Sequence, residues 1–216
     1  MFRHCPGPGG RDLRPPQHPL GRTGPHAQAP HPRHPGCGIP AGQGAHDKAG
    51  GPGGSLGEAG RGPEDLCWDV GAGTGSVSVE LALHSQAVWA IEHKAEACEL
   101  IRRNREKFCA WNLRVVEGHA PEALHELPAP DVVFLGGTGR KMPEILQVVR
   151  TKNPKARVCI SAIALETLHQ AVEELTALGY APEITQIAVS RAKAAGDLHL
   201  LLAQNPIFLI SAGGDA

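Results

Sequence analysis

From residue 64 onward, short apolar runs alternate with segments whose apolar residues recur at helical spacing. The runs predict strands over 66–70, 87–92, 113–116, 131–135 and 157–162, and the intervening segments predict helices over 76–84, 94–111, 142–149 and 165–178. Strand and helix in turn indicate parallel βαβ units and a doubly wound sheet, with ligands at the carboxyl ends of the strands. Two further strands, predicted over 182–190 and 199–210, have no helix between them and should form an antiparallel hairpin at the sheet edge.

The first 62 residues have a different composition. Residues 1–60 hold 15 of the 27 glycines and 11 of the 19 prolines, with very few aliphatic side chains. Such a segment cannot bury enough apolar surface to offset the entropy of ordering it. We therefore expect residues 1–62 to be disordered and residues 63–216 to form the folded domain. Its histidines lack the regular spacing of a metal site, so we expect no bound metal.

A second hypothesis for this segment is translation out of frame. Synonymous codons for residues 33–61, read one nucleotide later, permit the string GIPDAAFQQGKVPMTKREVRAV. That string has the apolar spacing of an amphipathic segment, which the given frame lacks. Sequencing of the gene over these codons tests the idea.

Charge and hydropathy argue against two classes of partner. The formal net charge is −1, whereas proteins that bind nucleic acid usually carry a basic excess, so we expect no nucleic-acid partner. No apolar run reaches the roughly 18 residues of a membrane span, and no secretory apolar segment stands at the N-terminus. We expect a cytoplasmic protein without membrane contact.

The first predicted strand runs directly into a turn of small residues. Such a turn lets the backbone approach a ligand closely and presents the start of the following helix. Asp69 stands just before the turn, and Glu92 closes the second strand, where a carboxylate can accept hydrogen bonds from ribose hydroxyls. The predicted cofactor-binding residues are therefore Asp69, Gly71, Ala72, Gly73, Thr74, Gly75 and Glu92.

Two kinds of cofactor suit this arrangement. Dinucleotide sites usually read GxGxxG, whereas this turn reads GxGxG. Asp69 would repel a pyrophosphate, but it can accept a hydrogen bond from the ammonium group of S-adenosylmethionine. The pattern therefore favours a methyltransferase that uses S-adenosylmethionine over a dehydrogenase.

Five consecutive segments carry a more specific resemblance. They read DVGAGTGSVSVELA, AIEHKAEACELIRRNREKF, VVEGHAPEAL, DVVFLGGTGRKMPEIL and ISAIALETLHQAVEEL. Together, over residues 64–212, they resemble the decarboxylating precorrin C15-methyltransferases of cobalamin biosynthesis. The shifted-frame string also resembles the segment that leads into this domain.

The resemblance implies a Rossmann-like class I methyltransferase. Its members transfer a methyl group from S-adenosylmethionine to C15 of a precorrin-type tetrapyrrole, with or without cobalt, and remove the C12 acetate carboxyl group. It implies further cofactor contacts at His119 and Ala120, although the family typically has an acid where this chain has His119. Because the substrate carries many carboxylates, it also implies substrate contacts at Gly137, Arg140, Lys141 and Arg191. The resemblance suggests a homotetramer, and no dedicated catalytic base is expected.

Other functions remain open on the sequence alone. An RNA methyltransferase or a methyltransferase for another small molecule would share the same cofactor core. A dehydrogenase is the less favoured enzyme class. If the frame hypothesis holds in the organism itself, the chain is instead a truncated, non-functional cofactor-binding domain.

Overall fold

Strands and helices alternate along the part of the chain that the computed structural model describes, residues 62–138 and 140–213. The helices are α1 (Ser76–Ala82), α2 (Ala95–Lys107), α3 (Met142–Lys152) and α4 (Leu165–Ala177), with a short 3-10 helix at Glu122–Leu124. The strands are β1 (Leu66–Val70), β2 (Ala87–Glu92), β3 (Leu113–Glu117), β4 (Val132–Leu135), β5 (Arg157–Ala162), β6 (Glu183–Ile187), β7 (Ser190–Ala195), β8 (Leu198–Ala203) and β9 (Ile207–Ala212).

One sheet of seven strands organises the fold, in the order β3-β2-β1-β4-β5-β9-β6. The first five of these strands are parallel, whereas β9 pairs antiparallel with both β5 and β6. From β1 the chain adds β2 and β3 on one side of the sheet and then crosses to add β4 and β5 on the other side. The direction in which strands are added therefore reverses between β1 and β4. In such sheets the ligand site lies at the carboxyl ends of the strands next to this reversal. The predicted doubly wound sheet is confirmed.

Helices cover both faces of the sheet. On one face α1 and α2 pack through apolar side chains that include Val79, Leu81 and Ile101. On the other face α3 and α4 pack through residues that include Ile145 and Leu175. The central strands are therefore buried on both sides, and this is why their sequences read as continuous apolar runs.

The C-terminal region differs from its prediction in one respect. We expected two strands over 182–190 and 199–210, but this region and the residues just beyond it form four. The strands β6 and β9 join the main sheet, while β7 and β8 pair in a separate antiparallel hairpin. The two residues Gly196 and Asp197 connect its strands, with Gly196 at φ 63°. Pro206 lacks an N–H group, and it lies in the break between β8 and β9 where the prediction had one continuous strand.

The second helix is shorter than predicted. We expected a helix over 94–111, but α2 ends at Lys107, and Cys109 adopts a φ of 52° that a right-handed helix does not permit. On this helix Leu100 is 43 % exposed although it is apolar, whereas Cys98 is buried. No described helix is long and apolar enough to cross a membrane. The prediction of disorder for residues 1–62 and the shifted-frame hypothesis for residues 33–61 concern residues that, apart from Gly62, lie outside the described part of the chain.

Candidate functional site

The turn after β1 contains three glycines in the left-handed region, Gly71 at φ 77°, Gly73 at φ 56° and Gly75 at φ 77°. A Cβ atom on Gly71 would lie 2.5 Å from the carbonyl oxygen and 2.6 Å from the amide nitrogen of Gly137. The turn after β1 and the turn after β4 therefore meet backbone to backbone. Glycine at position 71 is required both by its φ angle and by this contact.

Most backbone donors of the turn are already used within the protein. The N–H groups of Gly71 and Ala72 donate to the carbonyl oxygen of Ile91 at 2.9 and 3.1 Å, and that of Gly75 donates to Ala72 at 2.8 Å. The N–H of Gly73 donates to the carboxylate of Glu92. A pyrophosphate needs free N–H groups, whereas the ammonium group of an amino acid needs acceptors. The turn is thus better suited to an amino-acid ligand.

Glu92 joins the end of β2 to this turn. Its Oε2 accepts the Gly73 N–H at 3.0 Å, and its Oε1 accepts the N–H groups of His93 and Lys94, both at 2.9 Å. Burial alone would raise the pKa of this carboxyl, but the three backbone N–H donors and the neighbouring His93 outweigh burial and lower it. A carboxylate can accept about four hydrogen bonds, so the ionised side chain retains acceptor capacity for a ligand hydroxyl.

Asp69 lies beneath the turn and is 1 % exposed. Its carboxylate accepts a hydrogen bond from the hydroxyl of Ser78, on the inner face of α1. Burial, with a smaller effect of the charge of Glu92, raises the pKa of Asp69 to about 6, against the opposing effect of the Ser78 hydrogen bonds. The site therefore holds two acids of different character, one permanently ionised near neutral pH and one that titrates just below it.

A residue that sequence reasoning missed fixes the far side of the turn. The side-chain amide of Asn104, on α2, donates to the carbonyl oxygen of Thr74 at 2.8 Å. Ile101, one turn earlier on α2, is fully buried beneath Gly75. Ile101 and Asn104 are three residues apart, so both lie on the inner face of α2. A polar residue on an otherwise apolar helix face can be recognised in the sequence, and it could have indicated that Asn104 has a structural role.

His119 follows β3 and lies beside a second histidine that was not predicted. The rings of His93 and His119 stack with centroids 4.8 Å apart and an interplanar angle of 25°. His93 also places its Nδ1 3.1 Å from Oε1 of Glu92. Ala120, the next predicted contact, is half-buried and packs against the core. The carboxyl ends of β2 and β3 thus present two imidazoles next to the ribose-binding acid predicted from sequence.

The predicted substrate residues fall in two places. Gly137 meets Gly71 at the centre of the site, and Arg140 is exposed in the same turn with φ 71°, a backbone conformation uncommon outside glycine. Lys141 forms an ion pair with Glu122 at 3.0 Å. Arg191 lies on the exposed hairpin β7–β8, outside the main sheet. The structure therefore brings together the first three and places the fourth on a separate element.

This strand order, with a glycine turn after β1 and an acid ending β2, defines a Rossmann-like cofactor-binding fold, and the solved structures that share it include methyltransferases. The family model for the precorrin methyltransferase domain matches residues 55–212, and the chain belongs to that family. The resemblance inferred from the sequence is confirmed.

Named relatives and solved structures agree with this assignment. A probable cobalt-precorrin-6B C(15)-methyltransferase (decarboxylating) of Pyrobaculum calidifontis is 42 % identical over 148 residues, covering 67 % of this chain and 76 % of the relative. The crystal structure of precorrin 8W decarboxylase from Methanobacterium thermoautotrophicum matches with a TM-score of 0.70 at 35 % identity, covering 74 % of this chain and 87 % of that one. A precorrin-6y C5,15-methyltransferase from Geobacter metallireducens matches with a TM-score of 0.71 at 33 % identity, covering 75 % and 87 %.

Proposed function

We propose that this chain is a cytoplasmic enzyme that transfers a methyl group from S-adenosylmethionine to C15 of a precorrin-type tetrapyrrole and removes the C12 acetate carboxyl group. Family membership and the names of the relatives support the reaction. The main structural support for the cofactor site is the 3.0 Å hydrogen bond from the Gly73 N–H to Glu92. This bond fixes the glycine turn and the acid relative to each other.

The residues of the site fit S-adenosylmethionine. An added Cβ at Gly73 or at Gly137 would meet no atom within 4 Å, so both positions border open space beside the turn. Glu92 would accept the ribose hydroxyls, and Asp69 would attract the ammonium group from beneath the turn. The turn from Gly71 to Gly75, with Ala72 and Thr74, would enclose the amino-acid end, while His119 and Ala120 would contact the base.

The protein contributes orientation more than covalent chemistry. When bound, the sulfonium group supplies an electrophilic methyl for in-line displacement by a carbon nucleophile. The turns after β1 and β4 meet at Gly71 and Gly137, and this contact fixes the two turns relative to each other. Donor and acceptor bound beside these turns would be held in line for the transfer. Electron density released by loss of carbon dioxide can delocalise into the macrocycle, so the reaction needs no strong general base.

Cations near the turn after β4 are suited to the carboxylates of the substrate. The exposed Arg140 is adjacent to Lys141, whose ammonium group is paired with Glu122. A substrate carboxylate that binds Lys141 would therefore have to replace Glu122. Arg191 would bind a substrate carboxylate only if the hairpin β7–β8, which carries it, approaches a substrate-binding site.

We also infer that the chain assembles as a homotetramer. Every residue of β7 and β8 is exposed, and the large apolar side chains are 50–74 % exposed, at Leu198, Leu200, Leu201 and Leu202. A two-stranded hairpin without a packed face is marginally stable in water, so burial against other copies would stabilise it. The family resemblance supports four copies.

The function is tested with purified chain, S-adenosylmethionine and a precorrin or cobalt-precorrin substrate prepared enzymatically. Mass spectrometry should detect a product that has gained one methyl group and lost one carbon dioxide. The Glu92→Ala variant should lose this activity because it lacks the carboxylate expected to hold the donor. Release of S-adenosylhomocysteine without decarboxylation would contradict the proposal, as would transfer to RNA in preference to the tetrapyrrole.

A further inference from the structure

A serine and an aspartate pair with each other beneath the glycine turn, away from solvent. Ser78, on α1, is fully buried, and its hydroxyl donates a hydrogen bond to Oδ2 of Asp69, on β1, which is 1 % exposed. The backbone N–H of Ser78 also stabilises the Asp69 carboxylate, by a smaller amount. One residue in the first turn of α1 therefore supplies two donors to the same acid.

Neither packing nor helix formation requires a hydroxyl at position 78. The other buried residues of α1 are Val79, Leu81 and Ala82, so the inner face of this helix is otherwise apolar. Alanine forms helices better than serine does, and a buried hydroxyl costs stability unless it is hydrogen-bonded. The contribution of the Ser78 hydroxyl therefore lies in its bond to Asp69.

This pair lies where the proposed function, on which the inference rests, places the amino-acid end of the donor. An ionised carboxylate attracts the ammonium group of the donor, whereas a protonated carboxyl group carries no charge to attract it. We propose that Ser78 is a positioning residue for the donor, because its two donors hold the buried side chain of Asp69 in one orientation and as an anion. Since Ser78 is itself fully buried, it acts through Asp69 and does not contact the ligand.

The hydroxyl decides how much of this acid is charged near neutral pH. Burial raises the pKa of Asp69 to about 6, and the Ser78 hydroxyl has the largest of the effects that lower it. About three quarters of the wild-type chains therefore carry an ionised Asp69 at about pH 6.5. A hydrogen bond to a charged group is worth about one pH unit or more, so loss of the hydroxyl would leave Asp69 mostly neutral at that pH.

The elements packed around Asp69 bring Glu92 towards it. Glu92, on β2, raises the pKa of Asp69 by a smaller amount than burial does. On β4 the residue in register with Asp69 is Phe134, and on α1 the half-buried Glu80 faces His84. Because three backbone N–H groups and a neighbouring histidine lower the pKa of Glu92, its charge stays constant while Asp69 titrates.

The test is calorimetric binding of S-adenosylhomocysteine to the full chain between about pH 5.5 and about pH 8.5, which spans the titration of Asp69. The wild type should bind more weakly as the pH falls through about 6, because protonation of Asp69 removes the attraction. Ser78→Ala should move the midpoint of this dependence upward by about one pH unit or more. Its affinity should be about fivefold below wild type at about pH 6.5 and close to wild type at about pH 8.5.

A second variant and two controls isolate the pair. Ser78→Cys is similar in volume to the wild type and has a weaker donor, so its midpoint should lie between the other two, and it decides the question even if Ser78→Ala does not fold. Ser85→Ala is the matched control, because it removes a hydroxyl that donates to the carbonyl oxygen of Leu81 at 2.7 Å, and it should keep the wild-type midpoint. In the Asp69→Asn background, Ser78→Ala should leave the pH dependence unchanged, since asparagine does not titrate.

Urea unfolding gives a measurement that needs no ligand. The raised pKa of Asp69 contributes stability at low pH, and this contribution is lost as the pH rises through about 6. In Ser78→Ala the pH of this loss should move upward together with the binding midpoint.

The outcomes separate this inference from the proposed function. Failure of the wild type to bind at about pH 8.5 would contradict the proposed function itself. Wild-type binding that does not depend on pH, or a wild-type midpoint in Ser78→Ala, would overturn the inference alone. A loss of affinity in Ser78→Ala that is equal at every pH would also overturn it, because Ser78 would then have a purely structural role. A shift of the midpoint that persists in the Asp69→Asn background would do the same, since the effect would act through another group.

Discussion

Two glycines of the same turn should respond differently to the same substitution. Both Gly71 and Gly73 adopt positive φ angles, 77° and 56°. An alanine Cβ at position 71 would lie 2.5–2.9 Å from backbone atoms of Gly137, whereas one at position 73 would meet nothing within 4 Å. Gly71→Ala should therefore impair folding, and Gly73→Ala should impair binding.

The magnitudes follow from these two environments. The left-handed backbone costs a non-glycine residue about 1–2 kcal/mol, and both variants incur this loss. Gly71→Ala must in addition displace the backbone of Gly137, a rigid neighbour, which costs about 1–3 kcal/mol by analogy with overpacked cores. The free energy of unfolding should therefore fall by about 2–5 kcal/mol in Gly71→Ala and by about 1–2 kcal/mol in Gly73→Ala.

Urea unfolding and calorimetry separate the two effects. Gly73→Ala should retain most of its stability but lose at least about tenfold in affinity for S-adenosylhomocysteine, since its methyl group projects into the open space beside the turn. Equal losses of stability in the two variants would refute the role assigned to the contact between Gly71 and Gly137. Wild-type affinity in Gly73→Ala would show that the ligand does not occupy the space next to that residue.

Three further substitutions test other parts of the molecule. Glu92→Gln removes the charge that three N–H groups stabilise, and calorimetry should show S-adenosylhomocysteine affinity reduced by about tenfold or more; unchanged affinity would contradict the role of this acid. Asp69→Asn should be at least as stable as the wild type at about pH 8 in urea unfolding, because it removes a buried charge, yet bind the donor more weakly; lower stability with normal binding would oppose this reasoning. Leu200→Glu on the exposed hairpin should dissociate the proposed tetramer in sedimentation velocity without loss of the main sheet, and an unchanged sedimentation coefficient would exclude the hairpin as the interface.

The parts of the fold that the sequence predicts well are the strands buried on both faces. The bounds of β1, β2 and β5 agree with prediction because helices cover both sides of the sheet, and every residue of these runs therefore tends to be apolar. The hairpin β7–β8 was predicted poorly for the opposite reason: no strand was predicted for β7 beyond Ser190, and β8 was merged with β9. Its residues are exposed on both faces, so no alternation of buried and exposed positions distinguishes its strands from the adjoining ones.

The site divides in a similar way. The glycine turn and Glu92 could be predicted because each sits at the end of a recognisable strand. The polar contacts in and around the site could not, because they join residues distant in the chain: Asn104 reaches Thr74 across 30 positions, and Lys141 reaches Glu122 across 19. Periodicity reports which face of an element is buried, but it carries no information on which polar side chain of one element meets the next.

Asp69 shows how such a site can oppose the stability of its own fold. Its pKa rises from 3.8 to about 6 because burial disfavours the charged form more than the Ser78 hydrogen bonds favour it. The folded chain therefore binds this proton more tightly than the unfolded chain, so the contribution of Asp69 to stability is greatest at low pH and is lost as the pH rises through about 6. The full loss is about 3 kcal/mol, at one unit of pKa per 1.36 kcal/mol. A neutral residue at this position would make the fold more stable at neutral pH, and a carboxylate beneath the turn is consistent with a cationic ligand group that compensates its buried charge.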